Sequence, residues 1–214
     1  MSTLSGQQVA DAGLTDWSYL LRGLQTRLLT GDFATGLRLV EQIGAAAEAA
    51  DHHPDLDLRY PYLDVRTSSH DVGGVTERDL RLARRISELA AAEGVRADPR
   101  ATKQLELALD TPDAEGVVAF WSAVLDMSER RSDDDVDLHD DVLPNVWFQA
   151  SGSQEPRQRF HLDLWVPPEV VEERIAAALA AGGVLVSDEE APSFWVLADA
   201  EDNRVCLCTW QDRA

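Results

Sequence analysis

Three of the five histidines of this chain, His52, His53 and His70, fall within nineteen positions. Histidine is the one side chain whose unperturbed pKa, about 6.5, lies close to neutral pH, so it takes and gives protons with little tuning. Carboxylates, a proline and an aromatic frame the three: Glu48 stands four residues before His52, Pro54 directly after His53, Tyr60 between the pair and His70, and Asp71 and Asp79 beyond. The chemistry such a set suits is coupled proton transfer, to which each positioned acid or base contributes about 10²- to 10⁴-fold. Taken singly, each histidine reads equally as a solvated loop residue or a packed core residue. Two of the carboxylates also carry plainer readings. Asp79 is the fourth residue of Thr76-Glu77-Arg78-Asp79, which has capping-box spacing, so it serves either as a helix cap or in catalysis. Glu48, one helical turn from His52, either orients that imidazole or is a solvated acid.

The elements that must hold these residues follow from periodicity. Asp16 to Leu29 alternates loosely and is interrupted at Gly23, which predicts two short strands joined by a turn. Phe33, Leu37, Val40, Ile43 and Ala47 recur at spacings of three and four, an amphipathic helix that begins after Gly31-Asp32. Pro54 disfavours helical geometry at His53, so the histidine pair sits where that helix gives way to a loop. Residues 57–60 and 62–68 read as extended, with Leu63, Val65 and Thr67 on one face and Asp64, Arg66 and Ser68 on the other. Gly73-Gly74 breaks the pattern, and a second helix opens at Thr76. The order strand, strand, helix, strand, strand, helix predicts a two-layer α+β sandwich with an antiparallel sheet.

The spacing of Glu48, His52, His53, Pro54, Tyr60, His70 and Asp79 resembles the signature of the pterin-4a-carbinolamine dehydratase family. The resemblance covers about residues 1–95 and implies dehydration of a 4a-hydroxytetrahydropterin to a quinonoid dihydropterin. That reaction removes a proton from nitrogen while protonating the departing hydroxyl, and needs no metal and no other cofactor. Carried over residue by residue, His52, His53 and His70 are the catalytic set, with Glu48 and Asp79 in support and His53 and Asp71 on the substrate. His52 and His70 are expected to move the protons while His53 mainly holds the pterin. In many family members an aromatic follows the His-His-Pro element, where this chain has Asp55-Leu56-Asp57, so its pocket wall is built differently. The family's habit of assembling through sheet and helices implies a homo-oligomer.

Gly94 to Arg100 lacks periodicity, and a domain boundary is expected there, with a second domain over residues 102–214. Strands near 105–109 and 145–150 flank a helix from Asp113 to Leu125. A proline-opened helix from Pro168 to Ala181 follows a strand near 160–166 and precedes strands near 184–187, 194–197 and 205–210. This approximate repeat predicts paired βαβββ modules. Through Ala119-Phe120-Trp121, Val124-Leu125-Asp126 and the run Ala198 to Asn203 it resembles the glyoxalase-like branch of the vicinal oxygen chelate superfamily. Metal positions carried over from that superfamily fall near Glu106, Gln149, His161 and Cys206, a mixed set poorly suited to a hard cation, so no metal is expected. Trp121, Trp147, Trp165 and Trp195 are expected as core or pocket walls. The acidic run Asp133 to Asp135, with Asp137, Asp140 and Asp141, reads as a solvated loop.

Composition narrows the function classes. Of a net charge of −20, residues 1–100 carry −4 and residues 101–214 carry −16. Such a surface repels phosphate backbones and anionic membranes, so neither nucleic acid nor membrane is an expected partner. With no basic leader and no run of about 20 apolar residues, a cytoplasmic location is expected. Cys206 and Cys208, two apart on one strand face, suit a reducing compartment. Two further readings stay open: metal-dependent lyase, isomerase or dioxygenase chemistry in the second half, or a non-catalytic interaction protein.

Overall fold

The computed structural model describes residues 2–102, 106–131, 136–140, 142–150, 162–166, 168–209 and 211–212. The chain divides into two compact units, Met1–Gln104 and Leu105–Ala214, each with its own apolar cluster.

The first unit opens with α1 (Gly6–Asp11), capped reciprocally by Ser5 and Gln8. Six residues are too few to show an apolar period, and burial of Val9 holds this turn of helix in place. Next come β1 (Ser18–Leu20) and β2 (Gly23–Leu29). The turn between them is Leu21-Arg22, both at positive φ, and Gly23 already pairs with Leu20. The break expected at Gly23 therefore falls just before it, in a two-residue left-handed turn.

Then follow α2 (Phe33–Ala50), β3 (Asp55–Arg59), β4 (Tyr62–Thr67), α3 (Glu77–Ala92) and β5 (Arg96–Ala97). The sheet order is β1-β2-β4-β3, antiparallel throughout, with β5 also pairing β2. Leu24 and Leu28 of β2 and Leu63 and Val65 of β4 pack with Leu39 and Ile43 of α2 and Leu80, Ala83 and Ile86 of α3. Each such side chain contributes about 1.5–3 kcal/mol by leaving water. The result is the two-layer α+β sandwich. The stretch around residues 94–100 adds β5 to this sheet, and Asp98 N–H donates to the Arg27 carbonyl at 2.7 Å. Backbone pairing holds it there, and side-chain periodicity carries no trace of that.

The second unit runs β6 (Glu106–Thr111), α4 (Ala114–Leu125), β7 (Ser128–Arg131), β8 (Val136–His139) and β9 (Asn145–Ala150), then β10 (Leu162–Trp165), α5 (Pro168–Ala180), β11 (Val184–Ser187), β12 (Phe194–Ala198) and β13 (Arg204–Cys208). This is βαβββ twice. The two sheets have matching orders, β6-β9-β8-β7 and β10-β13-β12-β11, and in each the first strand runs parallel to the last. Asp137 does not lie in a loop: β8 alternates Val136 and Leu138 inward, and Asp137 accepts from Arg130 of β7 at 3.0 Å. The neighbouring acids hide this short alternation from a reading by composition. Asp133 to Asp135 and Asp141 lie outside the described residues. No helix among the described residues is long and apolar enough to cross a membrane.

Candidate active site

The site begins where α2 ends. Asp51 adopts the left-handed conformation, φ 47° and ψ 45°. Its N–H donates to the Glu48 carbonyl at 3.2 Å, and His52 N–H to the Ala47 carbonyl at 3.1 Å. This pair of bonds is a Schellman closure, which reverses the chain direction in one residue. It carries His52 inward, to 7% exposure, and leaves His53 exposed. Pro54 then commits the chain to β3.

The β3–β4 pairing sets which chain ends meet. Asp55 pairs with Arg66 at the end of the register, so the residues just before β3, His52 and His53, and those just after β4, Ser69 and His70, belong to the same end of the hairpin. After β4 the chain makes a turn, closed by Ser69 N–H to the Gly74 carbonyl at 2.9 Å and Gly73 N–H to the Ser69 carbonyl at 2.9 Å, with Gly73 at φ 66°. His70 sits exposed on this turn. Asp71, in the same turn, bonds the Arg78 guanidinium and so ties the turn to the first turn of α3. That bond holds the Asp71 carboxyl below its ordinary pKa.

The N-terminus of α3 completes the arrangement. Thr76 and Asp79 form a capping box: Thr76 N–H donates to Asp79 Oδ2 at 2.8 Å. Asp79 is fully buried. His52 Nε2 lies 2.7 Å from its Oδ1, Thr67 Oγ1 donates to Oδ1 at 2.8 Å, and Ser69 Oγ donates to Oδ2 at 2.7 Å. Burial pushes the Asp79 carboxyl up, but the hydrogen bonds from Ser69, Thr76, His52 and Thr67 outweigh it, and the pKa is lowered. Helix cap and imidazole partner are thus one carboxylate.

Glu48 does not orient His52; it is the solvated acid of its two readings. It bonds His53 Nε2 at 3.1 Å, with both side chains more than half exposed, a pair worth little by itself. Asp79 orients His52 instead, from the first turn of α3. Tyr60, part of the spacing pattern, is 71% exposed in the β3–β4 turn. That turn is at the opposite end of the hairpin from the histidines, roughly 17 Å along a five-residue strand. Thr67 and Ser69, which bond Asp79, lie outside the spacing pattern of the histidines and carboxylates. Thr67 had a signal, a hydroxyl on the inward face shared with Leu63 and Val65; Ser69 had none.

An open apolar groove of about 570 Å³ runs between α2 and α3, lined by Ala45, Ala46, Ala49, Ala50 and Leu89 among others, and by none of the three histidines.

In the second unit, His161 and the side chains of Glu106, Gln149 and Trp165 lie outside the described residues. Cys206 is half-buried on β13, opposite Asp163. Among the described residues no group of three His, Cys, Asp or Glu is placed to hold a metal. Trp121 and Trp195 are core, whereas Trp147 is 39% exposed. Trp121 Nε1–H donates to Asp199 Oδ2 at 2.9 Å, and Asp199 also accepts from Glu201 N–H at 2.8 Å and Asn203 N–H at 2.9 Å. The run Ala198 to Asn203 is therefore a carboxylate-braced hairpin turn.

Residues 2–89 match the Pterin 4 alpha carbinolamine dehydratase family. A protein of Nocardia farcinica, provisionally named a pterin-4-alpha-carbinolamine dehydratase, is 39% identical over 89 residues, which is 41% of this chain and 94% of that protein. The chain belongs to the pterin-4-alpha-carbinolamine dehydratase family. To this dehydratase-like half is fused a second, since residues 106–208 match a glyoxalase-like domain. Among solved structures, a transcriptional coactivator/pterin dehydratase from Brucella melitensis is 28% identical, covering 42% of this chain and 99% of that one with a TM-score of 0.40. The fosfomycin resistance protein FosX from Listeria monocytogenes is 14% identical, covering 50% and 90%, with a TM-score of 0.42.

Proposed function

We propose that the dehydratase-like half removes water from a 4a-hydroxytetrahydropterin by histidine acid/base catalysis, giving the quinonoid dihydropterin. The observation that carries this is the placement of His52, His53 and His70 at one end of the β3–β4 hairpin, with His52 braced on a buried carboxylate. Loss of water from the carbinolamine breaks an N–H bond and the C–O bond at C4a, and the electron pair left on nitrogen closes the C=N double bond. One group must receive the nitrogen proton and another must supply a proton to the hydroxyl. His52 and His70 take these two roles, and His53, steadied by Glu48, holds the pterin. Asp71 supports the substrate side by anchoring the His70 turn to Arg78.

Single alanine substitutions test the reading. His52→Ala and His70→Ala should each lower kcat for dehydration by about 10²-fold or more. His53→Ala should act mainly on KM. Full activity in all three variants removes the proposal. The glyoxalase-like half is proposed as a ligand-binding or assembly module of a cytoplasmic homo-oligomer, and stoichiometric divalent metal in the purified protein would redirect it toward metal-dependent chemistry.

A further inference from the structure

The surroundings of Asp79 bear on a question the three histidines leave open: which imidazole is the base, and through which nitrogen. Every group that faces this carboxylate is a donor. Oδ1 accepts the Thr67 hydroxyl at 2.8 Å; Oδ2 accepts the Ser69 hydroxyl at 2.7 Å and the Thr76 N–H at 2.8 Å. The Thr76 hydroxyl accepts from Arg78 N–H at 3.1 Å, so its own proton is directed to Ser69 Oγ at 2.8 Å or to Asp79 Oδ2 at 3.3 Å. A carboxylic acid proton would displace one of these donors, so the group stands as a carboxylate, in keeping with its lowered pKa.

That fixes the hydrogen on the imidazole. His52 Nε2 lies 2.7 Å from Oδ1. A bare nitrogen lone pair at that distance from a carboxylate oxygen would be repelled, so Nε2 carries the hydrogen. Thr67 Oγ1, whose proton is spent on Asp79, offers the same N–H a second acceptor at 3.3 Å. A neutral imidazole has one N–H, which leaves the lone pair on Nδ1. Nδ1 has no hydrogen-bond partner among the described residues.

We propose that Thr67, Ser69 and Thr76 are positioning residues for dehydration: by surrounding Asp79 with donors they hold His52 as its Nε2–H tautomer and present Nδ1 as the base. The assignment rests on the dehydratase function proposed above and deepens it. Nδ1 takes the proton from the ring nitrogen beside C4a, the freed pair forms the C=N bond, and the C4a–O bond breaks. The oxygen takes its proton from protonated His70 on the exposed turn and leaves as water. Exchange with solvent returns His52 to neutrality and reprotonates His70.

Imidazole ¹⁵N spectra of the full chain test this directly, recorded well above the ordinary histidine pKa of about 6.5. His52 should show a protonated Nε2 and a bare Nδ1. In Ser69→Ala and in Thr67→Val the two tautomers should mix, kcat should fall about ten- to a hundredfold with KM unchanged, and Ser69→Thr should restore both. A protonated Nδ1 in the wild type overturns the assignment, and that measurement stands even if the variants do not fold. So does a Ser69→Ala enzyme with an unmixed tautomer and full kcat. A wild type inert toward the pterin removes the function proposed above, whereas a protonated Nδ1 in an active enzyme removes this assignment alone.

Discussion

Burial by itself raises a carboxyl pKa, because the charged form loses its water. At Asp79 the donors from β4, from the Ser69 turn and from the α3 cap reverse that, and the folded pKa lies below the ordinary carboxylate value of about 3.9. The linkage has a definite sign. A depressed folded pKa adds stability that is complete above the ordinary value and is lost as pH falls through the folded one. Asp79→Asn should therefore be destabilised by about 3 kcal/mol at neutral pH, since it leaves buried donors without their acceptor. The gap to the wild type should narrow on acidification, which urea titrations across the acid range would measure. A gap that stays constant with pH would exclude the ionised carboxylate. The sequence exposes half of this residue's role: Thr76 and Asp79 sit at capping distance along the chain. Thr67 and Ser69 belong to another element, and no spacing rule links them to Asp79.

Secondary elements place these residues through their ends. The α2 helix matters to the site through its Schellman closure at Asp51, and α3 through its first turn. The sequence located both ends, by Pro54 and by Thr76. It could not say which histidine of the pair turns inward, because that depends on the left-handed residue before them. A comparable constraint in the second unit falls on Gly183, which follows α5. A Cβ there would land in the ring of Phe120, which is 1% exposed and meets Trp121 edge-on at 5.4 Å between centroids. Gly183→Ala should cost about 1–3 kcal/mol by overpacking, read as a lowered thermal midpoint. An unchanged midpoint would mean that the Phe120 ring yields.

For the whole chain, two apolar clusters and two family matches make the halves separable in principle. Residues 1–104 should fold alone, dehydrate the pterin with kcat close to that of the full chain, and sediment as an oligomer if assembly belongs to this half. An inactive or monomeric fragment would give the glyoxalase-like half a part in catalysis or assembly. The amino-acid sequence alone determined the ββαββα order at the centre of the first unit, though not α1 or β5, together with the repeat in the second and the identity of the three histidines, because apolar period, caps and prolines act between near neighbours. The tertiary structure decided that Asp79 braces His52, that Glu48 turns to His53 and that Tyr60 lies at the far end of the hairpin. The Asp79–His52 pairing and the place of Tyr60 rest on strand register and on burial, which no local interaction sets, whereas the exposed Glu48–His53 pair follows from the left-handed turn at Asp51.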